Sequence, residues 1–236
     1  MPADTAEGTG GYAEETAEAF SDALDDLKAQ GSTLLLLGPV GGDAMYAGCR
    51  RLLGDELVED RRRLFVMTDG QIEHHQGAKA TCKYQPPADA HAINYRTQAR
   101  SVASATATDH TDIPAETVEG GLDELYDRIE AAVERLDDRA DGLEPGELRL
   151  CLDSVDSLLA HENDEDVFEF LDRVEALVDQ YNGMAHVHLP LDFGSAPVDQ
   201  FADAFDAIVE VEAGDNAYRQ RWHLQDLGLS TGWLKL

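Results

Sequence analysis

Gly38-Pro39-Val40-Gly41-Gly42-Asp43 is the stretch of this chain best suited to hold an anion. It follows the apolar run Ser32–Leu37 and precedes a helical pattern from Met45 to Leu53. A glycine turn between a strand and a helix points successive backbone N–H groups at one place, and the helix dipole adds positive potential there. Phosphate chemistry at such a turn also needs a lysine against the charge and a Ser or Thr hydroxyl for Mg²⁺. Here Ala44 and Met45 take those two places, and Asp43 adds a negative charge. Two like charges about 4 Å apart repel by about 4 kcal/mol at an effective dielectric of about 20.

Other reactive residue types are scattered. Asp153 closes the apolar stretch "LRLCLD". A carboxylate there is either a cation ligand or a polar strand terminus that caps the next helix. His186 and His188 alternate on one strand and so face the same way. Pro190 and Asp192 come next, which puts the pair at the strand's carboxyl end, where α/β proteins bind ligands. A ligand role and a pair of satisfied sheet-end histidines both fit. "HHQGAKATC" gathers His74, His75 and Cys82, with His91 beyond, but the spacing fits no metal loop and a polar surface loop is expected. Cys49, Cys82 and Cys151 are odd in number and contain no C-x-x-C, which argues against a disulfide framework and a structural zinc site. Reduced, buried thiols and no metal are the expectation. Arg50, Arg51, Arg61, Arg62 and Arg63 concentrate five of the 18 cations. They could meet an acidic partner or a second copy, or pair internally with Asp55, Glu56, Glu59 and Asp60.

The elements carrying these residues alternate in type. A helical stripe runs over residues 14–30 and stops at Gly31. Strands are expected at 32–38, 64–68, 93–95, 149–152, 184–193 and 207–211. Their uninterrupted apolar character suits a parallel sheet covered on both faces. Leu122, Leu125, Ile129, Val133 and Leu136 mark one amphipathic helix; Val167, Phe168, Leu171, Val174, Leu177 and Val178 mark another. Residues 101–114 read as a small-residue loop, and the last 20 residues as a closing hairpin. The expected fold is three-layer α/β with a mostly parallel sheet. It would be one domain over 13–236, behind a flexible acidic tail at 1–12.

Charge narrows the functional classes. The net charge is −30 and the sequence pI about 4.3. Such a surface repels nucleic acid and anionic lipid, so neither is an expected partner. Only four of the 18 cations are lysine. Acidic excess with few lysines resembles the proteome of salt-in halophilic archaea, where molar salt screens self-repulsion. No apolar run approaches the roughly 20 residues of a membrane span, and the first residues do not resemble a signal peptide. A cytoplasmic location is expected.

Three landmarks then fall in order: "LLLLGPVGGDAMYAG", "LRLCLDSVDSLL", and "FADAFDAIVEVE" followed by "RQRWHLQDLG". Together they resemble the RecA/KaiC-like branch of P-loop ATPases over roughly residues 13–236. More narrowly, the chain resembles haloarchaeal members of that superfamily proposed to act in signal transduction, many with damaged nucleotide motifs. The resemblance implies a RecA-like P-loop fold with a C-terminal β-hairpin. It puts Gly38, Gly41, Gly42, Asp43 and Asp153 in a vestigial nucleotide site, Asp153 standing where the family's second nucleotide motif ends. The family's catalytic carboxylate sits in a Thr-x-Glu setting after the second strand, whereas this chain has Thr68, Asp69 and Gly70. The resemblance, corrected for these departures, implies a pseudo-ATPase that works through a protein partner or self-association, without ATP or Mg²⁺. The rivals are an NTPase that recruits Arg96, Arg100 or a neighbouring subunit's arginine, and a small-ligand sensor using Gly38–Asp43, Asp153 and His188.

Overall fold

The computed structural model describes residues 9–39, 42–54, 61–68, 90–96 and 115–236, with side chains from residue 18 onward. In chain order the elements begin with α1 (Thr9–Gln30), β1 (Ser32–Leu37), α2 (Asp43–Leu53), β2 (Arg62–Met67), β3 (Ala90–Tyr95) and β4 (Ala115–Val118). They continue with α3 (Leu122–Ala140), β5 (Leu148–Asp153), α4 (Val155–Leu159), α5 (Asp164–Gln180) and β6 (Met184–Leu189). The chain closes with α6 (Ala196–Phe201), β7 (Ala207–Ala213), β8 (Tyr218–Leu224), β9 (Leu229–Ser230) and β10 (Leu234–Lys235).

One sheet joins the strands in the order β10-β8-β7-β1-β6-β5-β2-β3-β4, with β9 paired to β8. From β7 across to β4 every neighbour is parallel. β8 returns antiparallel to β7, and β9 and β10 are antiparallel to β8. The expected mixed α/β architecture and C-terminal hairpin are therefore present.

Strand alternation splits the core in two. Leu34, Leu36, Phe65, Met67 and Cys151 face α1 and α2. Leu35, Leu37, Val66, Leu152 and Val187 face α3 and α5. β1 is buried at every position, as an apolar strand inside a doubly covered sheet must be. Gly31 turns the chain from α1 into β1 at φ +94°, a conformation that favours glycine.

Several boundaries differ from those expected of the sequence. α1 begins at Thr9, inside the stretch read as a tail, and β6 stops at Leu189 where Pro190 cannot donate to a ladder. On α5 the fully packed aromatic is Phe170; Phe168 lies half-buried, its ring stacked 4.2 Å from Phe201. β4 and α4 had no forecast. Each is five residues or fewer, too short to show a period.

Candidate functional site

The carboxyl ends of β1, β6, β5 and β2 lie side by side, and that edge carries most of the candidate residues. β1 ends at the glycine turn and β5 at Asp153, with β6 between them. The Gly42 N–H donates to the Pro39 carbonyl at 3.2 Å. Met45, which the sequence resemblance sets against a Mg²⁺-binding hydroxyl, is only 5% exposed. Its sulfur lies so close to Gly38 that an added Cβ would meet it at 2.8 Å, and would meet Val211 at the same distance. Ala44, which the resemblance sets against the lysine, is 2% exposed. Both have joined the apolar core beneath α2. Asp43 is exposed and accepts a hydrogen bond from the Tyr218 hydroxyl at 3.2 Å. Gly41 and Val40 lie outside the described residues. The groove beside Gly38 and Pro39 is lined by Asp192, Glu210, Glu212, Phe193 and Trp233, with Glu210 paired to Arg221 and Glu212 to Arg219.

Thr68 is committed to structure. Its hydroxyl donates to the Ser154 carbonyl at 2.6 Å and accepts from the Ser154 N–H at 2.7 Å, tying β2 to the turn after β5. Asp69 and Gly70 lie outside the described residues. Asp153 turns toward β6, its Oδ1 3.3 Å from His188 Nδ1.

Beneath the turn lies a cluster that local spacing could not show. α2 presents Met45, Cys49 and Leu52 to the sheet at helical spacing. Gly48 lets the helix settle close, since a Cβ there would come within 2.8 Å of Val211. Cys49 Sγ thereby reaches Cys151 Sγ on β5 at 3.7 Å and His186 Nε2 on β6 at 3.2 Å. Cys151 is level with His186 in the ladder, and its sulfur is 3.6 Å from His188 Nε2. Cys49 and Cys151 are 0% exposed, His186 2% and His188 4%. Cys49 is held well below the ordinary thiol range, chiefly by the hydrogen bond from Cys151 and against burial, with help from His186 and His188. Burial pushes Cys151 well up, and its neighbours Cys49 and Asp153 add to the shift. Burial works against charging His188, but Asp153 and Cys49 outweigh it and raise it to about 10. The Asp153–His188–Cys151 line has the connectivity of a nucleophile triad. With the thiol wholly buried, no substrate can reach it.

His91 and His223 have local partners. His91 Nε2 lies 3.1 Å from Glu116, which also pairs with Arg135. His74, His75 and Cys82 lie outside the described residues.

The five arginines separate. Arg50 and Arg51 are exposed at the end of α2. Arg63 is 2% exposed and donates to the Gly54 carbonyl at 3.2 Å, just past that helix. Arg61 donates to the Gly146 carbonyl at 2.6 Å, and Arg62 pairs with Glu147 at 3.0 Å. A buried guanidinium beside the carbonyl end of α2 has the sign that the helix dipole favours. Asp55, Glu56, Glu59 and Asp60 lie outside the described residues.

Residues 31–211 match the model of a family of unknown function, DUF7504. The chain belongs to that family. The matched span of this DUF7504 member runs from Gly31 to Val211, through the glycine turn, Asp153 and all four residues of the buried cluster. No curated protein matches it. Among solved structures, a KaiC-like protein from the hyperthermophilic archaeon Pyrococcus horikoshii OT3 is similar at a TM-score of 0.48 and 12% identity, over 83% of this chain and 79% of that one.

Proposed function

We propose that this chain is a non-catalytic regulatory or signal-transduction protein on a RecA/KaiC-like scaffold, acting through a protein partner or self-association. The observation that carries the reading is the burial of Ala44 and Met45, the residues standing where lysine and a hydroxyl would serve a nucleotide. The engagement of the Gly42 N–H by the Pro39 carbonyl supports it. The rival NTPase would need a replacement cation. Arg96 follows β3, which stands four strand spacings from β1, roughly 19 Å at about 4.8 Å each. That exceeds the reach of one side chain.

Calorimetry with MgATP on folded protein in molar KCl tests the reading. No binding up to about 1 mM, the affinity of a contact worth about 4 kcal/mol, is the expected result. Micromolar binding would overturn it. For the interaction itself, Arg50 and Arg51 are the exposed cations of the arginine-rich segment among the described residues. An acidic partner surface, or the acidic surface of a second copy, is the chemistry they fit.

A further inference from the structure

We propose that Cys49, Cys151, His186 and His188 bind one Zn²⁺ ion as a closed, tetrahedral site that clasps α2 to β5 and β6. Two thiols and two imidazoles are the donor set of structural zinc sites. One ligand atom from each of the four lies within 4.8 Å of all the others.

The separations fit the metal. With Zn–S about 2.3 Å and Zn–N about 2.0–2.1 Å, a tetrahedron places its sulfurs about 3.8 Å apart and each sulfur about 3.6 Å from a nitrogen. Here the sulfurs are 3.7 Å apart, and sulfur–nitrogen separations are 3.6 Å and 3.2 Å. Asp153 supplies the outer support that metal-bound imidazole uses. Its contact with His188 Nδ1 leaves Nε2 turned toward Cys151.

Charge agrees as well. The zinc-bound form holds two thiolates and two neutral imidazoles, so binding releases every proton the four groups carry beyond that state, with no oxidation or reduction. Two thiolates then balance Zn²⁺, and the buried site is neutral, which the apolar surroundings of Leu34, Leu36 and Phe65 require. Four protein ligands leave no position for water or substrate, so the site is structural. It stands one layer beneath the glycine turn and fixes the helix after it.

The test uses the full chain, expressed with added zinc and purified without chelator. Elemental analysis is expected to give about one zinc per chain, and X-ray absorption at the zinc edge two sulfur and two nitrogen ligands. Co²⁺ exchanged into the chain should show the visible bands of a tetrahedral site and thiolate charge transfer. The paired substitution Cys49→Ser and Cys151→Ser should lower bound zinc at least about tenfold, while His223→Ala on β8 keeps it. If the serine variant does not fold, the absorption spectrum of the wild-type chain decides alone. Folded wild-type protein with less than about a tenth of an equivalent of zinc would overturn the proposal. So would an oxygen-rich coordination shell, or a quantitative Cys49–Cys151 disulfide in protein purified without oxidant.

Discussion

Placing a lysine at position 44 and a threonine at position 45 should fail to create nucleotide binding and should weaken the fold. The perturbation is Ala44→Lys combined with Met45→Thr. Met45 is 5% exposed and wedged against Gly38 and the β7 side. Exchanging it for threonine removes buried thioether packing and brings in a hydroxyl, at about 2 kcal/mol. Ala44 is 2% exposed, so a lysine stem must displace its neighbours or bend outward, at about 1–3 kcal/mol. The amine would also stand in the first turn of α2, where the dipole disfavours a cation by about 0.3–1 kcal/mol. The sum is roughly 3–6 kcal/mol, a large share of the roughly 5–15 kcal/mol that stabilises a typical domain. At about 2–4 °C per kcal/mol, Tm should fall by roughly 10 °C. Thermal denaturation and MgATP calorimetry on the same preparation read both effects. Micromolar ATP binding with Tm unchanged would defeat this account, because it would mean that Met45 plugs nothing.

Four further outcomes are expected. Thr68→Val should cost about 3 kcal/mol in urea denaturation, since both backbone groups of Ser154 lose their partner, whereas Thr68→Ser should cost under about 1 kcal/mol. Lowering KCl from ~1 M to ~0.1 M lengthens the screening distance from ~3 Å to ~10 Å and should lower Tm through the repulsion of 30 net negative charges; an unchanged Tm would argue against the salt adaptation. Burial pushes the Glu210 carboxyl up, but its contacts with Arg221 and His223 outweigh that and hold it below its usual value. Its contribution is therefore full above the ordinary carboxylate range and lost as pH falls through the depressed folded value, so Glu210→Gln should flatten the acid limb of stability against pH. Arg50→Glu with Arg51→Glu should leave Tm nearly unchanged and abolish any self-association seen by sedimentation, while retained association would move the interface elsewhere.

Much of the architecture was legible from local pattern. Continuous apolar runs at β1 and β6 announce strands covered on both faces, and the stripe from Leu122 to Leu136 announces α3. The absence of lysine and hydroxyl after Gly42 is a matter of residue identity, so the sequence alone raised the doubt about phosphate chemistry. What residue identity could not show is that Met45 packs against Gly38.

The buried cluster shows the limit most clearly. A search for C-x-x-C sees only groups close along the chain, whereas Cys49 lies 102 residues from Cys151 and 137 from His186. A signal was present: Cys151 and Asp153 share strand parity, as do His186 and His188. Parity fixes which face a side chain takes, but not which strands are neighbours or at what register. Residue type and short-range period were enough to specify most of the elements and much of their buried faces. They could not specify that β5 lies beside β6, with Cys151 level with His186 and α2 laid over both, because strand pairing is set by contacts between residues far apart along the chain.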